Sequence, residues 1–536
     1  MEMEMPMSIE TQETQEARTL TQLLSVERAN SQTKWMELGL CLHNINPCLL
    51  DCWIDFSRKG HDYREGHCEQ IWKSTKLRDN GPDIATLNQW AEQDNPIQYI
   101  SHIKGNGVTA ILNTYENEKQ IPSVAMVIHT LYKYLYKYTK QGVWYEFINH
   151  RWRGVFPHIE RRVSDALLES KTGEEPHYDG SPVESRWRCY GWFPPSLIGG
   201  IRTHVVDLYN EVGMSHLITK LIKDESMDVI LKECQTLFYD QNFTSHLDQN
   251  PYLIGFENGV YDLHRGEFRD GLVTDYISLT TGNNYIEFKK DDELLVAINL
   301  FMSQIFPDDD VRNYVLILLS SFLEGGNCQE KFHIWNGIDI DCIKSLLRLF
   351  ELSFGKYTER SPHDFLTQRE GRYQLANREA CRLRKIRFVS IAGENKHEKL
   401  NTSLIKEWSG GDLITYYDSS EEDFDRPQLT YKPLFKMVYY CTVPPYVSPD
   451  DQGMKRRLCV LEFQSRSVHK PDPNNQYEFK KNSDSDLNTK FQLWKEPFMY
   501  LLLQNYKIYK TQGLIEPLAM RKYNKEYCEY CREEYY

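Results

Sequence analysis

Apolar side chains recur along this chain with two different periods, and the change between them divides it. From residue 33 to about residue 104, aromatic and aliphatic residues return at helical spacing, as in WMELGLCLHNI. A turn at Asn80-Gly81-Pro82 precedes a short helix over IATLNQWAEQ, and Gly105, Asn106 and Gly107 mark a boundary. A second region, expected to be helical, continues to about residue 170, where the polar stretch SKTGEEPHYDGSP reads as an exposed loop. In YLIGFENGVYDLHRGEFRDG, turn residues at Asn258-Gly259 and Arg265-Gly266 separate short apolar runs, which predicts a hairpin. From about residue 326 strands and helices alternate. KFHIW, IRFVSIA, FKMVYYC and RRLCVLEF are strand-length apolar runs, and SLLRLFELSF is an amphipathic helix. Such alternation builds a mostly parallel sheet covered by helices. Residues 469–536 read as a helical tail rich in Lys and Tyr, and no internal repeat is seen. The expected fold class is α/β and α: helical N-terminal modules, then an α/β domain, then a helical C-terminal tail.

At 536 residues the chain exceeds a single core and predicts about three to four domains. The opening MEMEMPMSIETQETQEART lacks the basic start and apolar stretch of a signal peptide. It reads as a short, disordered acidic leader over residues 1–30 on a protein that is intracellular and not secreted. There is no run of about 18 apolar residues, so no membrane span is expected. Thirteen scattered cysteines fit a reducing compartment. Cys528 and Cys531 have no second pair nearby, and Cys41, Cys48, Cys52 and Cys68, which cluster loosely with His43, His61 and His67, read as ordinary core cysteines rather than zinc ligands. A net charge of −14 disfavours coating DNA over the whole surface, while a channel that is basic only locally stays compatible with it.

Several blocks can be compared with a family. CWIDFSRKG, then Cys68 and Trp72, then TLNQWAEQDNPIQY, resembles the primase C-terminal domain of nucleocytoplasmic large DNA viruses. There it follows a primase catalytic domain, for which the leader expected here leaves no room. VWYEFINHRW and LFYDQNFTSHLDQNPYLIGFENGVYDL are similar to the helical domain preceding the helicase. LNTSLIKEWSGGD, DDQGMKRRLCVLEF and YEFKKNSDSDLNTKFQLWKEPFMYLLLQNY resemble the superfamily 3 helicase domain and its tail. Running in order over about residues 33–530, these blocks identify the chain as a member of the poxvirus-type primase-helicases. The resemblance implies a primase C-terminal-like module over 33–104, a helical pre-helicase domain over 110–325, an AAA+-type superfamily 3 domain over 326–468 and the tail over 469–536. It also implies a hexameric ring, homo- or hetero-oligomeric, that uses ATP and Mg²⁺ and moves along single-stranded DNA. Its setting would be a viral replication compartment in the host cytoplasm or nucleus, with a separate primase chain as a partner.

A phosphate-binding loop needs G-x-x-x-x-G-K-S/T between a strand and a helix, so that backbone N–H groups wrap the phosphates, Lys neutralises them and Ser or Thr reaches Mg²⁺. The matching segment is WNGIDIDCIKSLL. Gly337 stands for the first glycine, and Lys344 and Ser345 occupy the family's lysine and Mg²⁺-serine positions. Lys344 comes one position late, Ile343 replaces the inner glycine, and Asp339 and Asp341 add negative charge. Each repels a phosphate charge at 4 Å by about 1 kcal/mol in water and about 4 kcal/mol at an effective dielectric of 20. The family's acidic residue after the next buried strand, a metal ligand that activates water, aligns with Gly393, leaving Glu394 one place on as its catalytic and Mg²⁺-binding stand-in. Thr442 replaces the nucleotide-sensing asparagine and Tyr417 an arginine, while Arg456 and Arg457 keep the place of the arginine finger that serves a neighbouring subunit.

The DNA-gripping hairpin corresponds to YYDSSEEDFDRPQLTYKP, which offers Arg426 and Lys432 against five carboxylates. The basic run Arg372, Arg378, Arg382, Arg384, Lys385 and Arg387 reads as a solvated or subunit-facing helix side. Trp53, Phe56, Trp72 and Trp90 read as core rather than base-stacking platforms. Two functions follow. In one, the chain is a replication protein with impaired ATP hydrolysis and a scaffold or regulatory role; in the other, it is an active superfamily 3 DNA helicase with an atypical loop. Lys344→Ala separates them.

Overall fold

A computed structural model of the chain describes residues 12–61, 63–75, 81–95, 98–99, 102, 105, 124–155, 227–366, 372–393, 400–417, 428–447, 451–481 and 483–533. It divides into two compact units, residues 1–247 with 272–276, and residues 248–271 with 277–536.

The first unit begins with helices α1 (Gln12–Leu23), α2 (Val26–Asn30), α3 (Gln32–Ile45), α4 (Leu50–Ser57), α5 (His67–Ser74) and α6 (Ile84–Asp94). Ala17, Leu20 and Leu24, spaced as one helical stripe, are buried with Leu38, Leu42, Trp53, Phe56, Trp72, Leu87 and Trp90. The disordered leader expected over residues 1–30 is corrected from Gln12 onward: that stripe gives the segment an apolar face, and the helix packs it. The four aromatics read as core are core. Asp83 caps α6 by accepting from the Ala85 and Thr86 N–H groups at 2.9 and 3.1 Å.

After α7 (Val124–Tyr132) the chain forms an antiparallel meander, β1 (Tyr136–Tyr138), β2 (Trp144–Ile148) and β3 (Arg151–Val155). Helix was expected here; the correction lies in the two-residue turn Asn149-His150, whose φ values of 50° and 64° are left-handed and favour a hairpin. Helices α8 (Met227–Leu237) and α9 (Phe243–His246) complete the unit. The Trp152 indole is buried and donates to the Val273 carbonyl at 2.8 Å.

The second unit opens with the predicted hairpin, β4 (Leu253–Phe256) and β5 (Gly259–Asp262), extended by β6 (Glu267–Arg269). Helices α10 (Glu293–Ile305) and α11 (Asp309–Ser321) follow, each capped by an aspartate, Asp292 and Asp308. Then come β7 (Phe332–Gly337), α12 (Ile340–Phe354), β8 (Thr358–Ser361), α13 (Arg372–Arg382), β9 (Phe388–Ala392), α14 (Thr402–Ser409), the hairpin β10 (Ile414–Tyr417) and β11 (Gln428–Tyr431), β12 (Lys436–Cys441), α15 (Gln452–Lys455) and β13 (Leu458–Phe463). A short parallel pair, β14 (Arg466–Val468) and β15 (Glu478–Lys480), precedes the tail helices α16 (Asp484–Gln512) and α17 (Leu518–Glu533).

Strands β7, β8, β9, β12 and β13 form one all-parallel sheet in the order β13-β7-β12-β9-β8. Its two faces carry separate cores. One is filled from α10, α11, α12 and α16, the other from α13, α14, the β10–β11 hairpin and α17. Because the three inner strands are covered on both faces, they read as unbroken apolar runs. The expected boundary at 325/326 falls inside this unit, since Ile254, Phe256 and Tyr261 share the core of Trp335 and Phe350.

Arg387 fastens the hairpin to the sheet. Its buried guanidinium donates to the carbonyls of Leu323, Asn250 and Leu253 at 2.8, 2.9 and 2.6 Å and stacks 4.9 Å from the Tyr357 ring. The outer edge of β13 is met by α17, where Asn524 accepts from the Val460 N–H at 2.9 Å.

Candidate functional site

In an open parallel sheet, ligands sit beyond the carboxyl ends of the strands, where successive connections leave in opposite directions. Here that point lies between β7 and β12. The chain leaves β7 toward β8 on one side, and leaves β12 across β7 toward β13 on the other. Gly337, Asp339 and Thr442 therefore come together at one crevice.

Its local chemistry is set by a two-residue connection, Ile338 and Asp339, between β7 and α12. Gly337 is not among the left-handed residues; a Cβ there would lie 2.7 Å from the Cβ and 2.9 Å from the carbonyl oxygen of Phe463 on β13. The glycine serves strand packing. Asp339 is the N-cap of α12: its carboxylate accepts from the Asp341 N–H at 3.0 Å, and its own carbonyl accepts from the Cys342 N–H at 3.2 Å. Its other oxygen accepts from the Ser467 N–H at 2.7 Å and the Ser467 hydroxyl at 2.8 Å. Burial pushes the Asp339 carboxyl up, but those hydrogen bonds outweigh it and hold it below the usual carboxylate range. Two N–H groups of the helix's first turn are thus occupied by the chain itself.

Ile343 is fully buried in the core, so the position of the inner glycine is an ordinary apolar helix position. Lys344 lies one position further along the helix, exposed, with no hydrogen bond or ion pair among the described residues. Ser345 is half-buried beside it. Asp341 pairs with Lys481 at 3.0 Å. Thr442 contributes its carbonyl, which accepts from the Asn336 amide at 3.0 Å, while Tyr523 of α17 donates to the other end of Asn336 at 2.8 Å. Sequence reasoning missed the capping role of Asp339, although an aspartate just before a helix-periodic run is a cap signal. It also missed Ser467 and Tyr523, which come from distant segments.

Arg456 and Arg457 precede β13, whose first residue pairs with Phe332 at the start of β7, whereas Phe463 pairs with Gly337 at its end. They lie at the end of the sheet opposite Lys344, about 17 Å of strand away, and within one chain do not meet it. Both pair with Glu330, at 2.8 and 2.9 Å. At the same end His333 is buried; burial first, then Lys436 and Lys331, lowers its pKa to about 3. Burial likewise lowers Lys436 to about 8, and its ammonium donates to the Glu324 carbonyl at 2.7 Å.

Glu394 and Arg426 lie outside the described residues. Lys432 is exposed just after β11, and Tyr417 ends β10, its backbone held by Asn377. In the basic run, Arg382 binds Glu379 and Glu359, Lys385 binds the buried Asp248 at 2.9 Å, and Arg387 is interior. These three are committed to the fold rather than displayed.

Two family models match. Residues 17–91 match Primase C terminal 2 (PriCT-2), and residues 125–310 match the model described as D5 N terminal like. A protein of Acanthamoeba polyphaga mimivirus designated a candidate helicase is 31% identical over 528 residues, covering 96% of this chain and 53% of that protein. One of Invertebrate iridescent virus 3 with the same designation is 26% identical, covering 84% of this chain and 51% of that protein. A candidate primase of African swine fever virus is 23% identical over 289 residues, 52% of this chain and 29% of that protein. The chain spans about half the length of the first two relatives. Among the described residues no helix is long and apolar enough to cross a membrane. A primase C-terminal module followed by a D5-like region, with viral relatives along nearly all of its length, places the chain in the primase-helicase family of the nucleocytoplasmic large DNA viruses.

Proposed function

We propose that this chain serves viral DNA replication in a scaffold or regulatory role, with an AAA+-like superfamily 3 domain that does not turn over ATP at an ordinary rate. The observation that carries this reading is Asp339. Where a triphosphate would meet the helix N-terminus, a carboxylate is already bound to the Asp341 N–H and to both donors of Ser467. A helix N-terminus favours one anion, and here the chain supplies it. The residues present do not fit ATP and Mg²⁺. The connection is too short to wrap phosphates, its glycine is packed against Phe463, and Ile343 fills the place where backbone must approach. The ring surface, single-stranded DNA at Lys432 and Arg426, a separate primase chain and a viral replication compartment belong to the same proposal.

The second reading, an active helicase with an atypical loop, is favoured by Lys344, which stands exposed and uncommitted. Titration with a fluorescent ATP analogue and Mg²⁺, together with ATPase turnover with and without single-stranded DNA, separates them. On the scaffold reading, wild type and Lys344→Ala are equally inert. Tight binding or turnover by wild type that is lost in Lys344→Ala establishes the helicase instead.

A further inference from the structure

The first unit holds a cavity of about 360 Å³ far in sequence from the crevice just described, between α2, α3, α4 and the segment leading into α5. Its walls include Trp35, Tyr63, His67, Asn30, Gln32 and Arg64. The rings around it are stacked in a column. Trp72 leans on Trp53 with centroids 5.6 Å apart, Trp53 stacks on Trp35 at 4.8 Å, and Trp35 stacks on His67 at 5.4 Å with planes only 22° apart. Trp72 and Trp53 are buried, Trp35 is half-buried, and His67 is exposed. The column thus runs outward from the core and ends on an imidazole whose outer face has no ring against it among the described residues.

The column is also held still. The Trp35 indole donates to the Ser57 hydroxyl at 2.6 Å, that hydroxyl donates to the Trp53 carbonyl at 2.6 Å, and the Trp53 indole donates to the Trp35 carbonyl at 3.2 Å. Cys68 donates to the same Ser57 hydroxyl at 3.4 Å. A platform fixed in advance loses little freedom when a planar ligand joins it. Around the open end stand the Asn30 and Gln32 amides, able to donate and accept at the edge of a heterocycle, and the exposed Arg64 guanidinium, which makes no ion pair among the described residues. Asn30 already accepts from the His61 N–H at 2.9 Å through its oxygen, which leaves its NH₂ group pointing elsewhere.

We infer that this cavity binds a nucleobase, added as the next ring on His67, with Arg64 taking the attached phosphate. A flat, edge-polar ring bearing an anion is the ligand that an aromatic column, two amides and a lone guanidinium suit together. The base comes either from a single strand or from a free nucleotide. This site goes beyond the role proposed above and does not depend on whether the α12 loop binds ATP.

The test uses the full chain. A fluorescein-labelled oligo-dT carrying one 4-thiothymidine is titrated by anisotropy at low ionic strength, cross-linked, and the attachment mapped by mass spectrometry. In parallel, dTMP and AMP are titrated by quenching of tryptophan fluorescence. Expected are cross-links within residues 30–68 and an affinity loss on the order of 10-fold in His67→Ala. His67→Phe, which keeps a ring, retains binding, and Arg64→Glu weakens it. Oligo-dT binding far tighter than dTMP assigns the site to single strands, and equal affinities assign it to free nucleotides. The inference is overturned if His67→Ala, folded by circular dichroism, binds every probe as wild type does, or if cross-links map only to the second unit.

Discussion

Exchanging Asp339 for asparagine tests the central argument at one atom. Asparagine caps a helix as well as aspartate, so the α12 N-terminus itself should survive. The carboxylate, however, uses both oxygens as acceptors, one toward Asp341 and the other toward the two donors of Ser467. An amide offers one oxygen and one NH₂, so one of these partners faces a donor instead of an acceptor. Hydrogen bonds to a charged group contribute about 1.5–3 kcal/mol and neutral ones about 0.5–1.5 kcal/mol. Losing the charge and one acceptor therefore costs about 2 kcal/mol, read in urea unfolding. Because the Asp339 carboxyl is held below its ordinary range, its contribution is present above the unfolded pKa and lost as pH falls through the folded one. The wild type's advantage should therefore shrink below about pH 4. The same exchange removes one repulsive charge from the crevice. Over 4 Å that is about 1–4 kcal/mol, or roughly 5- to 1,000-fold in affinity for a triphosphate. Because the short connection and the buried Ile343 remain, titration of Asp339→Asn with a fluorescent ATP analogue and Mg²⁺ should show weak binding that nevertheless exceeds that of wild type. Unchanged stability, or wild-type binding equal to that of the variant, refutes the reasoning.

Three further outcomes are expected. Gly337→Ala should destabilise the second unit by about 1–3 kcal/mol, because the new Cβ meets Phe463 backbone at 2.9 Å; a neutral result in thermal melts would restore Gly337 as a loop glycine. Arg387→Met leaves three interior carbonyls without their donor and should cost about 3–5 kcal/mol, and a loss under 1 kcal/mol in urea unfolding contradicts the role given to it. His333 is held neutral down to about pH 3, whereas its unfolded counterpart takes a proton near pH 6.5, so stability falls as pH drops through that window, by about 2 kcal/mol between pH 7.5 and 5. His333→Gln should remove that component, and an unaltered pH slope would show that His333 is not its source.

Much of the second unit was legible because its inner strands are apolar on both faces; KFHIW, IRFVSIA and FKMVYYC announce themselves by composition alone. Strand β8, with the sequence TERS, did not, since an edge strand with only Ser361 buried carries no periodic signal. The meander β1–β3 was hidden for another reason. Its buried tryptophans suit a helix as readily as a strand, and only the left-handed pair Asn149-His150 discriminates. At the crevice, the order of the sheet brought Gly337 and Thr442 together. What Asp339 does was not legible, because Ser467 lies 128 residues away and only the fold brings it within reach. The hazard attributed to its charge and the cap found in the fold are the same negative group, seen first without its partners and then with them.

The bond between Asn524 and Val460 has a wider implication. Strand β13 is the last in its sheet, and its outward backbone would otherwise template a strand from another molecule. With α17 lying across that margin, association between copies at the β13 side has to run through side-chain surfaces rather than through continuation of the sheet. A chain cut before Leu518 would bare the margin, and slow, concentration-dependent aggregation is the behaviour such a cut should produce.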